Sequence, residues 1–178
     1  GQAWHAGETL ITSIGQGFIL CTPLQLAVMT CRLVNGGRPV SPRLLQNENR
    51  KTLKSKSPQV NPQHLRTILK GMDKVVNGPQ GTARKVVNRN MKFQFGGKSG
   101  SVQVKRISLD ERESGKFKNK DRPWHERDHA MFVAFAPLKT PRYVASVVVE
   151  HGGGGSTMAA PIARDILAET LRLNPSKS

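Results

Sequence analysis

Two apolar segments joined by a short turn constrain the fold of this chain most. Residues 130–135 and 143–150 are rich in Ala, Val and Phe, and the turn between them contains two prolines. Strands joined so closely run antiparallel, because a parallel pair needs a crossover of about a dozen residues or more. A third strand is predicted upstream, from Lys98 to Ile107. We therefore expect an antiparallel sheet of about three strands.

Helical patterns flank these strands on both sides in the sequence. Thr22 and Asn61 each precede a proline, which is the order of an N-cap and a first helical residue. Apolar residues then recur at helical spacing until glycines at 36–37 and 78 end the two patterns. A last helix is predicted over 158–173. The order of helices, three strands and a final helix predicts an α/β chain of the α+β type.

Three stretches lack a hydrophobic period and are predicted to be irregular. Residues 1–18 contain several glycines and are expected to form a loop and a turn, while 46–60 and 106–128 are expected to be exposed loops. Trp124 is expected to anchor the last of these loops, with a contact to substrate or a partner as the alternative. The whole chain, 1–178, fits one domain or a large piece of one. Because it begins with Gly rather than Met, we expect a piece of a longer protein, with any targeting segment upstream.

The charge of the chain predicts an anionic partner. The formal net charge is +16, and residues 38–98 hold 14 Lys and Arg against 2 acidic residues. Nucleic acid, acidic lipid headgroups and cell-wall polymers all fit a surplus of this sign. A basic nucleic-acid-binding module and a non-catalytic interaction module are therefore kept as alternatives. Aromatic residues make up only 5% and no nucleic-acid reading motif is present, so no nucleic acid is expected as partner.

No metal, cofactor or disulfide is predicted. The five histidines show no metal-ligand spacing, and neither cysteine has a second ligand nearby in the sequence. Cys21 and Cys31 would lie about 15 Å apart along the predicted helix, which is too far for a disulfide bond. Both thiols are expected to be free. No segment is long and apolar enough to span a membrane.

The run Gly97-Lys98-Ser99-Gly100-Ser101 carries the chemistry. It fits the end of a phosphate-binding loop, but that motif needs glycine at position 92, where this chain has Lys92. The motif also needs a helix after the loop, where a strand is predicted here. The same residues suit a strand that holds a peptide. Lys98 offers a cation to a carboxylate, and Ser99 and Ser101 present hydroxyl groups on one face. Gly100 leaves room for a ligand, and the Ser101 N–H is suited to a developing oxyanion.

Several motifs in the chain occur together in a known family. They are Ser13-Ile14-Gly15-Gln16-Gly17, Thr22-Pro23-Leu24-Gln25-Leu26-Ala27, Gly81-Thr82-Ala83, the Lys98-to-Ser101 element, Asp128-His129-Ala130-Met131-Phe132 and Gly152-Gly153. In this order they resemble the transpeptidase domain of penicillin-binding proteins, most closely the elongation-type penicillin-binding protein 2. Met131 stands where Trp is more usual, and Ser99 and Ser101 replace threonines while keeping the hydroxyl group.

The resemblance implies the C-terminal part of the penicillin-binding and serine β-lactamase-like fold. In that family a serine of a Ser-x-x-Lys motif attacks D-Ala-D-Ala of a stem peptide, an amine resolves the acyl-enzyme, and β-lactams trap it. No serine here begins Ser-x-x-Lys or Ser-x-Asn, so one of the three catalytic motifs is present. The resemblance assigns substrate binding to Lys98, Ser99, Gly100 and Ser101, with Lys98 and the Ser101 N–H also in catalytic roles.

The resemblance also implies where the parent protein works. It would be anchored upstream of this chain and would act on the periplasmic face of the bacterial inner membrane, with membrane-bound elongation proteins as partners. Because the family's sheet takes further strands from upstream sequence, the strand from Tyr143 to Glu150 is expected to be an edge here.

Overall fold

The computed structural model of the chain describes residues 3–43, 60–88, 90–105, 107–115 and 119–173. Within these ranges there are five α-helices and three β-strands. In chain order they are α1 (Ala6–Ser13), α2 (Pro23–Val34), α3 (Pro62–Asn77), β1 (Gly96–Val102), α4 (Leu109–Glu113), β2 (His129–Ala136), β3 (Tyr143–Val149) and α5 (Ala160–Leu173). None of the helices in this part of the chain is long and apolar enough to cross a membrane.

The three strands form one antiparallel sheet in the order β1-β2-β3. This confirms the predicted fold class and the predicted antiparallel pair. β3 has β2 as its only strand neighbour among the described residues, so it is a sheet edge as expected. β1 is shifted relative to the prediction, because it begins at Gly96 and ends at Val102 instead of running from Lys98 to Ile107.

The early end of β1 coincides with hydrogen bonds among residues that are distant from Val102 in the sequence. In the register of the sheet Val102 pairs with His129, so residue 103 would have to pair with Asp128. The backbone N–H of Asp128 already donates to Asn119 Oδ1 at 3.0 Å, and its carbonyl accepts from Gly153 N–H at 2.8 Å. Both backbone groups of Asp128 thus have hydrogen-bond partners outside β1 at the point where the strand ends.

The predicted starts of α2 and α3 are confirmed in their capping geometry. Thr22 Oγ1 accepts from Gln25 N–H at 3.2 Å, and Gln25 Oε1 accepts from Thr22 N–H at 2.8 Å. Asn61 Oδ1 accepts from Gln63 N–H at 2.8 Å. The prediction of a loop over 1–18 was wrong in part, because α1 lies within it. His5 caps α1 with Glu8, whose carboxylate accepts from the His5 N–H at 2.6 Å.

The core lies on one face of the sheet, against α5. Alternate residues of a strand point to the same face, so the buried Phe132 and Ala134 of β2 share a face with Ala145 and Val147 of β3. Further core members come from α3, the segment before β1, and the last helix: Val76, Ala83, Val86, Phe95, Ala159, Ala160, Ala163 and Leu167. The register places Ser99 opposite Phe132, on the core face, and Lys98 opposite Val133, on the other face.

The last helix begins two residues later than predicted, after a π-helical turn over Gly155–Ala159. This turn lies directly on the backbone of β1 and β2. A Cβ atom at Gly155 would lie 2.2 Å from the Met131 carbonyl oxygen and 2.4 Å from that of Gly100. Only glycine permits this approach, and the start of α5 is thereby fixed over the middle of β1.

The stretch predicted as a charged loop, 106–128, contains α4 and two short 3-10 turns, Asn119–Asp121 and Trp124–Glu126. The stretch 46–59 lies outside the described residues. Val60, which follows it, is exposed and has no regular structure.

Candidate active site

The edge of β1 that faces away from β2 is accessible. Among the described residues β1 pairs with β2 alone. Lys98, Ser101 and Val102 are exposed, and Ser99 and Gly100 are half-buried. In an antiparallel pair the backbone groups of alternate residues point away from the partner strand. This edge therefore offers unpaired N–H and C=O groups to an extended peptide.

Lys98 is an exposed cation without a carboxylate partner in the described part of the chain. Its Nζ atom donates to the carbonyl oxygen of the neighbouring Ser99 at 2.6 Å. An ammonium group held in this way keeps two further N–H groups for a ligand. The side chain is thus suited to a substrate carboxylate.

Ser99 and Ser101 share one face of β1, as the sequence predicted, and the structure adds a third hydroxyl group. Thr82 Oγ1 lies 3.4 Å from Ser99 Oγ. Thr82 is exposed, and the turn that carries it is held to α3 by the bond from Ala83 N–H to the Val75 carbonyl at 2.9 Å. Sequence reasoning did not assign a role to Thr82, because its contact with Ser99 joins residues 17 apart in the chain.

Gly100 differs from the other glycines of β1. A Cβ atom at Gly97 would lie 2.5 Å from the Phe132 ring, so packing against the core requires glycine at that position. At Gly100 the nearest atom would be Met131 Cβ at 3.5 Å, which is an ordinary contact. Packing does not demand glycine at Gly100. The role predicted for it, an open surface for a ligand, stays a prediction.

A cluster of rings closes the far end of β1. The backbone N–H of His151 donates to His129 Nδ1 at 2.9 Å, and His151 Nδ1 donates to the Arg127 carbonyl at 3.0 Å. The Trp124 ring contacts the His151 ring edge-on, with 4.5 Å between centroids. This agrees with the expectation that Trp124 anchors its loop, and it places His129 in a structural role, bonded to backbone. His151 has a φ of 54°, a left-handed conformation that these two hydrogen bonds hold.

The charged loop is also held to the end of β1 by ion pairs. Lys105 Nζ lies 3.0 Å from Glu126 Oε2 and 3.7 Å from Glu111 Oε1. The hydrogen bond to Glu126 raises the pKa of Lys105. The Ser108 N–H, which donates to the Glu111 carboxylate at 2.9 Å, lowers the pKa of Glu111. Exposed pairs of opposite charge therefore hold the loop to the segment that follows β1.

The two cysteines are free thiols, as predicted. Cys21 is exposed and Cys31 is half-buried, and burial raises the pKa of Cys31. This disfavours the thiolate form of Cys31, which is the form that acts as a nucleophile. Within the described residues no three His, Cys, Asp or Glu side chains lie close enough together to hold a metal ion.

Comparison with known proteins decides the family. Residues 1–168 match the family model described as the penicillin binding protein transpeptidase domain. The chain belongs to this family. Among its curated relatives, peptidoglycan D,D-transpeptidase MrdA of Haemophilus influenzae is 36% identical over 174 residues, which cover 93% of this chain and 26% of the relative. The chain thus spans about a quarter of the length of the curated relatives it matches.

Solved structures of this family share the fold. Penicillin-binding protein 2 of Pseudomonas aeruginosa, in complex with WCK 5153, superposes with a TM-score of 0.76 at 35% identity, over 96% of this chain and 35% of that one. The same protein from Helicobacter pylori, in complex with MreC, gives a TM-score of 0.74 at 30% identity, over 96% of this chain and 28% of that one. The resemblance predicted from the motifs is confirmed, including its subfamily.

Proposed function

We propose that this chain is the C-terminal part of a peptidoglycan D,D-transpeptidase and supplies the strand edge that holds the stem peptide. The observation that carries the proposal is the accessible edge of β1. On it lies Lys98, which has no carboxylate partner among the residues that the structure describes, followed by the hydroxyl groups of Ser99 and Ser101. The relatives named D,D-transpeptidases support the reaction class. They do not favour the nucleic-acid-binding alternative.

The proposed binding step uses charge and backbone together. The terminal carboxylate of D-Ala-D-Ala, or the carboxylate of a β-lactam, is held by the Lys98 ammonium and by the hydroxyl groups of Ser99 and Ser101. A hydrogen bond to a charged group contributes about 1.5–3 kcal/mol. The peptide lies along β1 as an added strand, and Gly100 leaves its path open.

The proposed catalytic contribution is a backbone donor. When a serine attacks the peptide carbonyl, negative charge develops on the carbonyl oxygen, and the Ser101 N–H donates to that oxygen. A donor of this kind lowers the barrier by about 3–4 kcal/mol. The attacking serine and its lysine belong to a Ser-x-x-Lys motif, which no serine of this chain begins. We assign that motif to a part of the protein upstream of residue 1.

The proposed setting follows from the relatives. The Helicobacter pylori relative was solved in complex with MreC, which supports an elongation partner for the parent of this chain. We place the parent at the periplasmic face of the inner membrane. Its loop 106–128 and the ring cluster around Trp124 are candidates for contacts outside the active site.

A hybrid enzyme tests the proposal. This chain would replace the matching C-terminal part of Pseudomonas aeruginosa penicillin-binding protein 2, and a fluorescent penicillin would report acylation. In the hybrid, Lys98→Ala is expected to slow acylation about ten- to a hundredfold, since a charged hydrogen bond is lost. Ser101→Pro, which removes the N–H, is expected to slow it by about a hundredfold or more, while Ser101→Ala keeps that donor.

The control is Lys139→Ala, an exposed lysine in the turn between β2 and β3. It should acylate like the unmodified hybrid. The chain alone should not form a covalent adduct with penicillin. A folded hybrid that reacts equally well with and without Lys98 would contradict the proposal, and so would a stable adduct on the chain alone.

A further inference from the structure

A row of exposed basic residues runs along α3. Arg66, Lys70 and Lys74 are exposed and follow one another at intervals of four residues. Side chains four apart lie on the same side of a helix, about 6 Å apart along its axis. We call these three residues the α3 basic row.

The row has no acidic partner within the described residues. None of the ion pairs there involves Arg66, Lys70 or Lys74. The single acidic residue of α3, Asp73, accepts from Asn77 Nδ2 at 2.7 Å. Like charges four apart on a helix are destabilising. Three unpaired basic side chains on one helix do not stabilise the fold. Binding of an anion from outside the protein explains their presence better.

The row ends beside the candidate active site. The carbonyl oxygen of Lys74 accepts from Gly78 N–H at 3.1 Å, at the start of the turn that carries Thr82. Thr82 contacts Ser99 of β1 at 3.4 Å, and Asn77 Nδ2 donates to the Phe95 carbonyl at 3.0 Å. These bonds fix the C-terminal end of α3 against the start of β1. A polymer bound at the β1 edge therefore has the C-terminal end of α3, where the row ends at Lys74, next to it.

The composition of this region favours peptide carboxylates over the other anions. Residues 60–88 contain no Phe, Tyr or Trp. A surface for single-stranded nucleic acid needs aromatic rings on which bases stack. The same charges would attract an anionic membrane. Binding to a membrane, however, does not explain why the row lies near a strand edge that carries hydroxyl groups. Peptidoglycan carries free carboxylates on its stem peptides and must reach that edge.

We propose that the α3 basic row is a docking surface for the stem-peptide carboxylates of the peptidoglycan strand whose peptide end enters the β1 site. The proposal rests on the proposed function, since it takes peptidoglycan as the substrate. It adds a binding surface outside the Lys98–Ser101 element. Its contribution is to affinity for the polymer and not to the chemical step.

The test uses the chain itself and purified peptidoglycan sacculi in a pull-down, with the free fraction measured as salt is raised. The variant is the triple substitution Arg66→Gln, Lys70→Gln and Lys74→Gln, since glutamine favours helix about as well as Lys and Arg do. Because it loses three exposed charge pairs, the triple variant should bind sacculi about three- to a hundredfold more weakly. Its binding should also depend less on salt.

The matched control removes the same net charge elsewhere. It carries glutamine in place of three other exposed lysines, Lys92, Lys120 and Lys139. The control should bind sacculi like the unmodified chain. Far-UV circular dichroism and urea unfolding confirm that both variants are folded. Sacculi whose carboxyl groups have been converted to amides should lose binding to the unmodified chain.

Three outcomes would overturn the inference. They are an equal loss of binding in the variant and the control, undiminished binding to amidated sacculi, and binding at physiological salt to DNA or to anionic vesicles but not to sacculi. Failure of the proposed function would look different. The Lys98→Ala hybrid would then acylate as fast as the unmodified hybrid, whereas retention of the chain on sacculi needs no acylation.

Discussion

The close approach of Gly155 to the sheet gives the sharpest prediction about stability. In Gly155→Ala the new methyl carbon would lie 2.2 Å from the Met131 carbonyl oxygen and 2.4 Å from that of Gly100. A Cβ atom is essentially never found within 3.0 Å of a non-bonded heavy atom, so the π-helical turn must move away by at least the difference, about 0.8 Å. Neither contact can be relieved by a side-chain rotation, because both are with backbone atoms that belong to the β1–β2 ladder.

The expected loss of stability is at the upper end of what overpacking causes, about 3 kcal/mol. With a typical dependence on urea of about 2 kcal/mol per molar, the unfolding midpoint should fall by about 1.5 M. In the hybrid enzyme the same substitution should also slow acylation, since it displaces the backbone at Gly100. Urea unfolding followed by circular dichroism measures the first effect.

The matched control is Gly71→Ala in the middle of α3, where a Cβ atom would have nothing within 4 Å. Alanine favours a helix over glycine by about 0.5–1 kcal/mol, so this variant should be more stable than the unmodified chain. If the free energy of unfolding of Gly155→Ala lies within about 0.5 kcal/mol of that of the unmodified chain, the π-helical turn does not pack as closely on β1 as described.

Three further predictions concern single contacts. Thr22→Ala removes the cap of α2 and should lower the free energy of unfolding by about 1 kcal/mol in urea titration, whereas Thr22→Ser should not. Asn77→Ala leaves the buried Phe95 carbonyl without its donor and should destabilise by about 1–3 kcal/mol, measured in the same way. The carboxyl group of Glu111 should titrate below an ordinary glutamate by NMR, and Ser108→Pro, which removes its N–H donor, should return it towards the ordinary value. Because that pKa is lowered by folding, the stabilisation by Glu111 is present at neutral pH and is lost as the pH falls through the folded pKa.

The sequence predicted well those elements whose ends are marked by residues close to them in the chain. Thr22 and Asn61 are followed by proline, and the capping bonds they form depend on residues two or three positions away. α1 was missed because its cap is His5, which is not among the preferred N-cap residues. A helix of eight residues also offers little periodicity from which to recognise it.

The errors around β1 have a different cause, since they depend on contacts between distant parts of the chain. The strand ends at Val102, where the backbone of Asp128 bonds to Asn119 and Gly153. No pattern near Val102 contains that information. The same holds for Thr82, whose position beside Ser99 follows from the packing of α3 on β1. The motif predicted the candidate site, and only the folded chain identified its neighbours.

A crystal structure of the hybrid enzyme acylated by a penicillin would test the central proposal most directly. We expect the acyl carbonyl oxygen to lie about 2.7–3.1 Å from the backbone nitrogen of Ser101, with the penicillin carboxylate beside Lys98 and Ser99. An acyl group bound with its carboxylate away from β1, and with no contact to the Ser101 N–H, would contradict it.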